Sequence, residues 1–390
     1  MTEDSTGGGV IGPTGDMEGR RTSARPIEPE PATRRSSKRA RRAGRKAQLG
    51  ALRMPAEWEP HEATWIAWPH HEPDWPGKLA PIPWVYAEIV RVLHAHERVE
   101  ILCDDDEVRA AAEQHLHAHG VGGNYRLHLV PNDRVWLRDS APTAVLGEGG
   151  VVRLLDWRFN AWAKYDNFAR DARVGEAVAR ITGLRRLEPV RPDTGERVVL
   201  EGGAIETDGE GTLLVTEECL LADVQQRNPG LTREGYEHVF NEYLGIRQTI
   251  WLGEGCVGDD THGHVDDVAR FVAPGVIALA YEEDPNDDEN HRRSVDNMER
   301  LELAGAFKVV KLPYPRAVTM HGERLPASYA NFYIANDVVL VPTFNDPNDR
   351  VALNTLAALL PNRRVVGVHA VDLVWGFGTL HCLTQQQPRG

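Results

Sequence analysis

Apolar and polar positions repeat in one layout along most of the chain. A short apolar strand leads to a turn of Gly, Asp, Asn or Pro, then to a second apolar strand and a polar exit. The layout occurs as APTAVL-GEGG-VVRLLDW (141–157), GAIET-DGEG-TLLVTEE (203–218), VARFV-AP-GVIALAYEED (268–284) and NFYIA-ND-VVLVPTFND (331–346). Such turn signals between β-branched runs predict β-hairpins. The turns centre on Gly149, Gly209, Gly275 and Asp337, at intervals of 60, 66 and 62 residues. Between the hairpins lie amphipathic stretches that predict helices at 170–182, 232–244 and 351–360. A further apolar run follows most of them, such as VVLEGG (198–203) or TIWLGEG (249–255). Each unit therefore reads hairpin, helix, strand, and residues 54–390 hold about five units at this period. The fifth hairpin is split: TLHCLTQQ near the C-terminus is expected to pair with ATWIAWP near the N-terminus. That pairing would close a ring of five modules and remove two exposed sheet edges.

Composition narrows the class. The chain is 41% hydrophobic and 26% charged, as in a soluble globular protein. No apolar run of about 18 residues predicts a membrane span. The four cysteines, at 103, 219, 256 and 382, form no C-x-x-C pair, so reduced thiols in a cytoplasmic protein are the simplest expectation. Charge divides the chain. Residues 1–53 carry a net +6 and the remainder −20. The first part reads as a basic, disordered extension. Its cluster between residues 20 and 46 is the only hint of nucleic-acid binding. Arg20-Arg21 lacks the apolar region that an export signal needs. The acidic remainder, one domain over 54–390, repels nucleic acid and attracts small cations. The sequence is compatible with a homo-oligomer and fixes no oligomeric state.

Chemistry-bearing residues fall at matching places in the units. They are Trp136-Leu137-Arg138-Asp139, Leu200-Glu201-Gly202-Gly203, His262-Gly263-His264-Val265-Asp266, Phe344-Asn345-Asp346-Pro347-Asn348-Asp349 and His381-Cys382. Each has a structural reading as well. Free cysteines are usually buried hydrophobes, which suits Cys103, Cys219 and Cys256. Asp139 beside Arg138 could be an ion pair, and Glu201 a strand end. His262 and His264, an H-x-H pair, would point to one face of a strand as zinc ligands do, although no further ligands at suitable spacing accompany them. Taken together, at homologous points of a repeat, they favour a catalytic cysteine site.

The segments MPAEWEPHEATWIAWP (54–69), NDRVWLRDSAPT (132–143), DWRFNAW (156–162), LEGGAIETDGEGTLLVTEECLL (200–221), RNP (227–229), GHVDD (263–267), ASYANFYIAN (327–336), DPND (346–349) and HCLTQQQP (381–388) carry a close resemblance. On them the chain resembles the agmatine deiminase family, also called the Porphyromonas-type peptidylarginine deiminase family, of the guanidino-group-modifying superfamily. The resemblance spans essentially all of 54–390. It implies an α/β fold, a five-bladed α/β propeller (pentein), in agreement with the repeat count. It implies a hydrolase in which Asp139 and Asp266 grip a small cationic guanidine. Cys382 attacks its central carbon and His264 serves as general acid and base. Glu201 orients His264, and Trp136 walls the cation or its alkyl stem. It implies no metal and no organic cofactor. Agmatine is the leading substrate, giving N-carbamoylputrescine and ammonia, because no arginine follows Asn160 to meet an α-carboxylate; Arg158, before it, could still do so. Free or peptidyl arginine, another guanidine, an amidinotransferase and a metal-binding module on His262 and His264 are the alternatives. The chain departs from the family pattern at Phe377 and Thr379, in a run that usually reads GGGNIHC, at His262, usually Asn, and after FNAW, where Ala163-Lys164-Tyr165-Asp166 replaces a pair of glycines.

Overall fold

In the computed structural model, which describes residues 50–390, the repeated layout becomes five mixed sheets and one small hairpin. The basic cluster at 20–46 lies outside the described residues. Four sheets have three strands each and one connectivity. A hairpin pairs antiparallel, a helical crossover follows, and the third strand returns parallel to the second. One sheet is built this way from Thr143–Leu146, Val152–Leu155 and Arg185–Leu187, and the next from Glu206–Thr207, Thr212–Thr216 and Gln248–Leu252. The other two use Ala269–Ala273, Val276–Ala280 and Lys308–Leu312, and Tyr333–Ile334, Val338–Thr343 and Arg364–His369. A parallel return needs a long crossover. The helices Val174–Thr182, Arg233–Val239, Asp288–Ala304 and Asn348–Leu359 supply it. Because those helices cover the sheets, the middle strands are continuous apolar runs such as Val276–Ala280 rather than alternating ones.

The remaining sheet joins the two ends of the described chain. Gln385–Pro388 runs antiparallel to His61–Ala67, with Trp65 opposite Gln385, and Arg98–Cys103 and Tyr125–Leu129 add in parallel. The split hairpin is thus present. Its C-terminal half starts later than TLHCLTQQ suggests, because Leu380–Leu383 is a helical turn. The run VVLEGG at 198–203 is not a third strand. Arg185–Leu187 takes that place, and 198–203 contributes only an isolated bridge between Arg158 and Val199. Leu52 is buried, and Arg53 exchanges backbone hydrogen bonds with Leu146. Among the described residues no helix is long and apolar enough to cross a membrane.

One segment from every sheet reaches a buried ionic cluster. Arg270, fully buried, donates from Nε to Glu206 Oε2 at 2.8 Å and from Nη2 to Glu57 Oε1 at 2.8 Å. Its Nη1 donates to the carbonyl oxygens of Phe332, at 2.5 Å, and Ala330, at 3.2 Å. Glu57 also accepts from the Ile334 backbone N–H at 2.7 Å, from Arg138 Nη2 at 3.3 Å, and faces His381 Nε2 at 2.8 Å. Burial alone would raise the Glu57 pKa; Arg270, His381 and Arg138 hold it well below the usual carboxylate range.

Removing one partner of such a cluster leaves uncompensated buried charge, which costs about 3–5 kcal/mol. Arg270→Met is expected to lower the unfolding free energy by that amount, read from the midpoint of a urea transition at unchanged slope. A shift under about 1 kcal/mol would show that the cluster does not hold the fold together.

Candidate active site

The segments that precede each hairpin converge beside this cluster. Asp139 lies in a helical turn, Leu137–Ser140, just before Thr143–Leu146. Glu201 precedes the turn Gly202–Ala204, which leads into Glu206–Thr207. His264 and Asp266 precede Ala269–Ala273, and Cys382 precedes Gln385–Pro388. Each of these side chains is almost wholly buried. Cys382, Asp139 and Trp136 line a cavity of about 200 Å³, together with Trp162, Tyr165, Arg134, Asp74, Asp260 and Phe377.

Asp266 faces the sulfur, with Oδ2 at 3.7 Å from Cys382 Sγ. The same oxygen is 2.7 Å from His381 Nδ1, while Oδ1 has no partner among the described residues. Burial opposes ionisation of Asp266, but His381 beside it brings its pKa below the ordinary value. Asp139 accepts from the Gly203 N–H at 3.0 Å and from Trp162 Nε1 at 2.9 Å. Burial dominates there and pushes its pKa up to about 6, His264 opposing, with Asp266 and Glu201 adding to the rise.

His264 stands between two carboxylates. Nδ1 is 3.8 Å from Asp139 Oδ2, and Nε2 is 3.9 Å from Glu201 Oε2. Neither ring nitrogen has a hydrogen-bond partner at these distances. Burial would lower its pKa, yet Asp139, Cys219 and Glu201 together raise it well above the ordinary value. Glu201 is held by Arg227, whose Nε donates to Oε1 at 3.0 Å. Burial works against that charge, but Arg227 and His264 bring Glu201 down to about 2. Gly203 makes this packing available: a Cβ there would stand 2.4 Å from His264 Nδ1 and 3.0 Å from Asp139 Oδ1.

Burial pushes the Cys382 thiol well above its ordinary pKa, and Asp266, Asp267 and Asp139 add to the rise. Asn331 positions the Cys382 loop. Nδ2 donates to Sγ at 3.1 Å, and Oδ1 accepts from the His381 N–H at 3.0 Å and the Thr379 hydroxyl at 2.7 Å.

Of the sequence-predicted residues, Cys382, His264, Glu201, Asp139, Asp266 and Trp136 come together. The Phe344–Asp349 segment does not: Asp349 accepts from the Phe344 and Asp346 backbone N–H groups and from the Tyr329 hydroxyl, forming a turn. The H-x-H pair does not share a face either. Residues 262–264 are not a strand, and His262 takes a left-handed φ of 66°. Its ring lies 3.8 Å from Glu218, whereas that of His264 turns to Asp139 and Glu201. Phe377 does line the cavity, at φ 64°, where a family glycine would be at ease; Thr379 is buried behind it. Arg158 is exposed and outside the cavity. Sequence reasoning missed Asn331, Arg227, Glu57 and Asp74. Asn331 was detectable, since it occupies the fifth pre-hairpin position, two residues before Tyr333–Ile334. Glu57 and Arg227 sit in loops that no repeat marks, and Asp74 in the short helical turn Glu72–Asp74.

Known proteins resemble the chain over most of its length. An agmatine deiminase of Ectopseudomonas mendocina is 37% identical over 363 residues, covering 86% of this chain and 95% of the relative. One of Stutzerimonas stutzeri is 37% identical over 362 residues, with 86% and 95% covered. Among solved structures, the agmatine deiminase of Enterococcus faecalis superposes with a TM-score of 0.78 at 31% identity, covering 87% of this chain and 96% of that one. A family model described as Porphyromonas-type peptidyl-arginine deiminase matches residues 53–388, and the chain belongs to that family.

Proposed function

We propose that this chain is a guanidine deiminase that hydrolyses agmatine to N-carbamoylputrescine and ammonia. The observation that carries the reading is Cys382 and Asp139 on one cavity, with Asp266 Oδ2 3.7 Å from the sulfur and His264 Nδ1 3.8 Å from Asp139. Agmatine deiminase is also the name its relatives carry. The five sheets act as the blades of a five-bladed propeller, and their pre-hairpin segments form the site at the axis. Residues 54–390 make up the catalytic domain. The four unpaired cysteines fit a reducing, cytoplasmic setting.

The electrostatics suit a cationic substrate. A guanidinium placed between Asp139 and Asp266 supplies the charge that these buried carboxylates lack, and its N–H edges match their oxygens. It also offsets the negative field that keeps Cys382 protonated, so binding favours loss of the thiol proton. The thiolate adds to the guanidinium carbon. His264, protonated between Asp139 and Glu201, gives its proton to the departing nitrogen, and ammonia leaves a covalent thiouronium. A water then adds with its proton passing to His264, and collapse expels the thiolate to leave the ureido product. Glu201, anchored by Arg227, keeps His264 charged and oriented. Trp136 and Trp162 wall the cation.

Free arginine would bring an α-carboxylate into the cavity. Arg134 is the cation there, but its Nη1 already donates to Asp74 at 2.5 Å and its Nη2 to Asn167 at 3.0 Å. An unmatched buried carboxylate is costly, so arginine should be rejected. A panel of agmatine, arginine and arginyl peptides scored by ureido product and ammonia tests this. Agmatine is expected to have the highest kcat/KM, and an equal or higher value for arginine refutes the assignment.

Cys382→Ser should lower kcat by about 10⁴-fold or more while agmatine still binds, as on loss of a covalent nucleophile. Cys256→Ser should remain active, and the opposite pattern would move the site elsewhere.

The raised thiol pKa gives a sign that can be checked. Without substrate, alkylation of Cys382 by iodoacetamide should be slow at pH 7 and still rising at pH 9.0, the ordinary thiol value. A plateau already reached below that pH would mean that the empty site holds a thiolate.

A further inference from the structure

The acids packed around Cys382 all oppose a negative sulfur. Asp266, Asp267 and Asp139 add to the effect of burial on the thiol. Tyr86, which also senses the sulfur, is held protonated, by burial first. Yet deimination needs that sulfur as an anion twice, once to attack the guanidinium carbon and once when collapse expels it. The substrate's charge offsets the acids only at the first event. After collapse the ureido group is neutral, so the expelled thiolate needs a partner that belongs to the protein.

One donor stands on the sulfur at both events. Asn331 Nδ2 donates to Sγ at 3.1 Å. The side chain is wholly buried, and its amide is fixed in one orientation. Oδ1 accepts from the Thr379 hydroxyl at 2.7 Å, from the His381 N–H at 3.0 Å and from the Cys382 N–H at 3.4 Å. A flipped amide would set its own N–H groups against these three donors, so the nitrogen stays on the sulfur side. Asp267 hydrogen-bonds the Asn331 side chain as well. The Thr379 backbone N–H also favours the charged sulfur. Thr379, a departure from the family pattern, therefore serves this amide through its hydroxyl.

We propose that Asn331 is a catalytic residue, the fixed hydrogen-bond donor to the Cys382 thiolate, and that Thr379 is the positioning residue that keeps its amide turned to the sulfur. The role rests on the deiminase reading of Cys382. No proton leaves Asn331. Its N–H bond stays intact, and the hydrogen bond strengthens as the sulfur gains charge. The same donor that favours attack favours expulsion of the thiolate from the last intermediate.

Alkylation of the substrate-free protein by iodoacetamide at neutral pH reads the thiolate directly. Asn331→Ser, which cannot reach Sγ, should lower that rate about 5-fold or more. It loses a hydrogen bond to a charged group, and the greater nucleophilicity of a more basic thiolate recovers part of the loss. Its kcat for agmatine should fall about 10-fold or more. Thr379→Val should slow alkylation in the same direction, and Thr379→Ser, which keeps the hydroxyl, should restore it. An alkylation rate in Asn331→Ser equal to that of the wild type overturns the donor role, and equal losses in Thr379→Val and Thr379→Ser overturn that of Thr379. Where Asn331→Ser fails to fold, Thr379→Val decides, an unchanged rate overturning both roles. Calorimetric binding of agmatine to Cys382→Ser, with and without Asn331→Ser, separates chemistry from loop collapse. With no thiolate to support, affinity should be the same in both, and weaker binding in the double variant makes Asn331 a scaffold residue. If no guanidine yields a ureido product yet alkylation depends on Asn331, the hydrolase reading fails and the donor stands. Ureido product with alkylation unchanged in the variants is the reverse result.

Discussion

The charge balance at Glu57 is the constraint on which the rest of the structure depends. A fully buried carboxylate is tolerable only with full compensation, and here compensation comes from Arg270, Arg138, His381 and a backbone N–H. These partners belong to different sheets, so satisfying one charge fixes several chain segments against one another. The reactive groups are their neighbours in sequence. Arg138 adjoins Asp139, His381 adjoins Cys382, Phe332 adjoins Asn331, and Arg270 and Glu206 lie a few residues beyond Asp266 and Gly203. At several of these positions one residue serves the ionic cluster and its neighbour faces the chemistry. The positions of the site residues are therefore set by the same bonds that stabilise the fold.

Around the cavity the acids are compensated unevenly. Arg227 settles Glu201 and His381 settles Asp266, and both ionise easily. Asp139 is left with neutral donors, the Gly203 N–H and the Trp162 indole, and its pKa rises. An environment that resists charge on both Asp139 and Cys382 is short of a cation. Arg138 and Arg270, which could have provided one, are turned away into the neighbouring cluster.

The repeat was readable because hairpins with Gly or Asn turns and covered parallel strands leave a strong local pattern. Spacing alone placed Asp139, Glu201, Asp266 and Cys382 at equivalent positions. What spacing could not show was which charges pair. Arg138 looked like a partner for Asp139 and instead serves Glu57. The apolar run VVLEGG reads as the third strand of the unit that opens at residue 141. The structure uses Arg185–Leu187, an edge strand whose outer face is wet and whose pattern is correspondingly weak. His262 and His264 seemed to share a face because alternation was assumed, whereas the left-handed φ at His262 breaks it. Asp74 carries no signal at all in sequence, since its meaning comes from a cavity wall assembled by distant segments.

The strand Gln385–Pro388 closes against His61–Ala67, and Cys382 sits three residues before it. Loop-closure entropy makes this pairing of the chain's two ends a demanding long-range event. Cys382 thus takes its place in the cavity only when that contact forms. A species in which the other four sheets assemble first would hold the Asp139 carboxylate and the His264 imidazole but lack the Cys382 sulfur beside them. Acquisition of chemical competence is in this way tied to completion of the tertiary structure, and partly folded chains are catalytically silent.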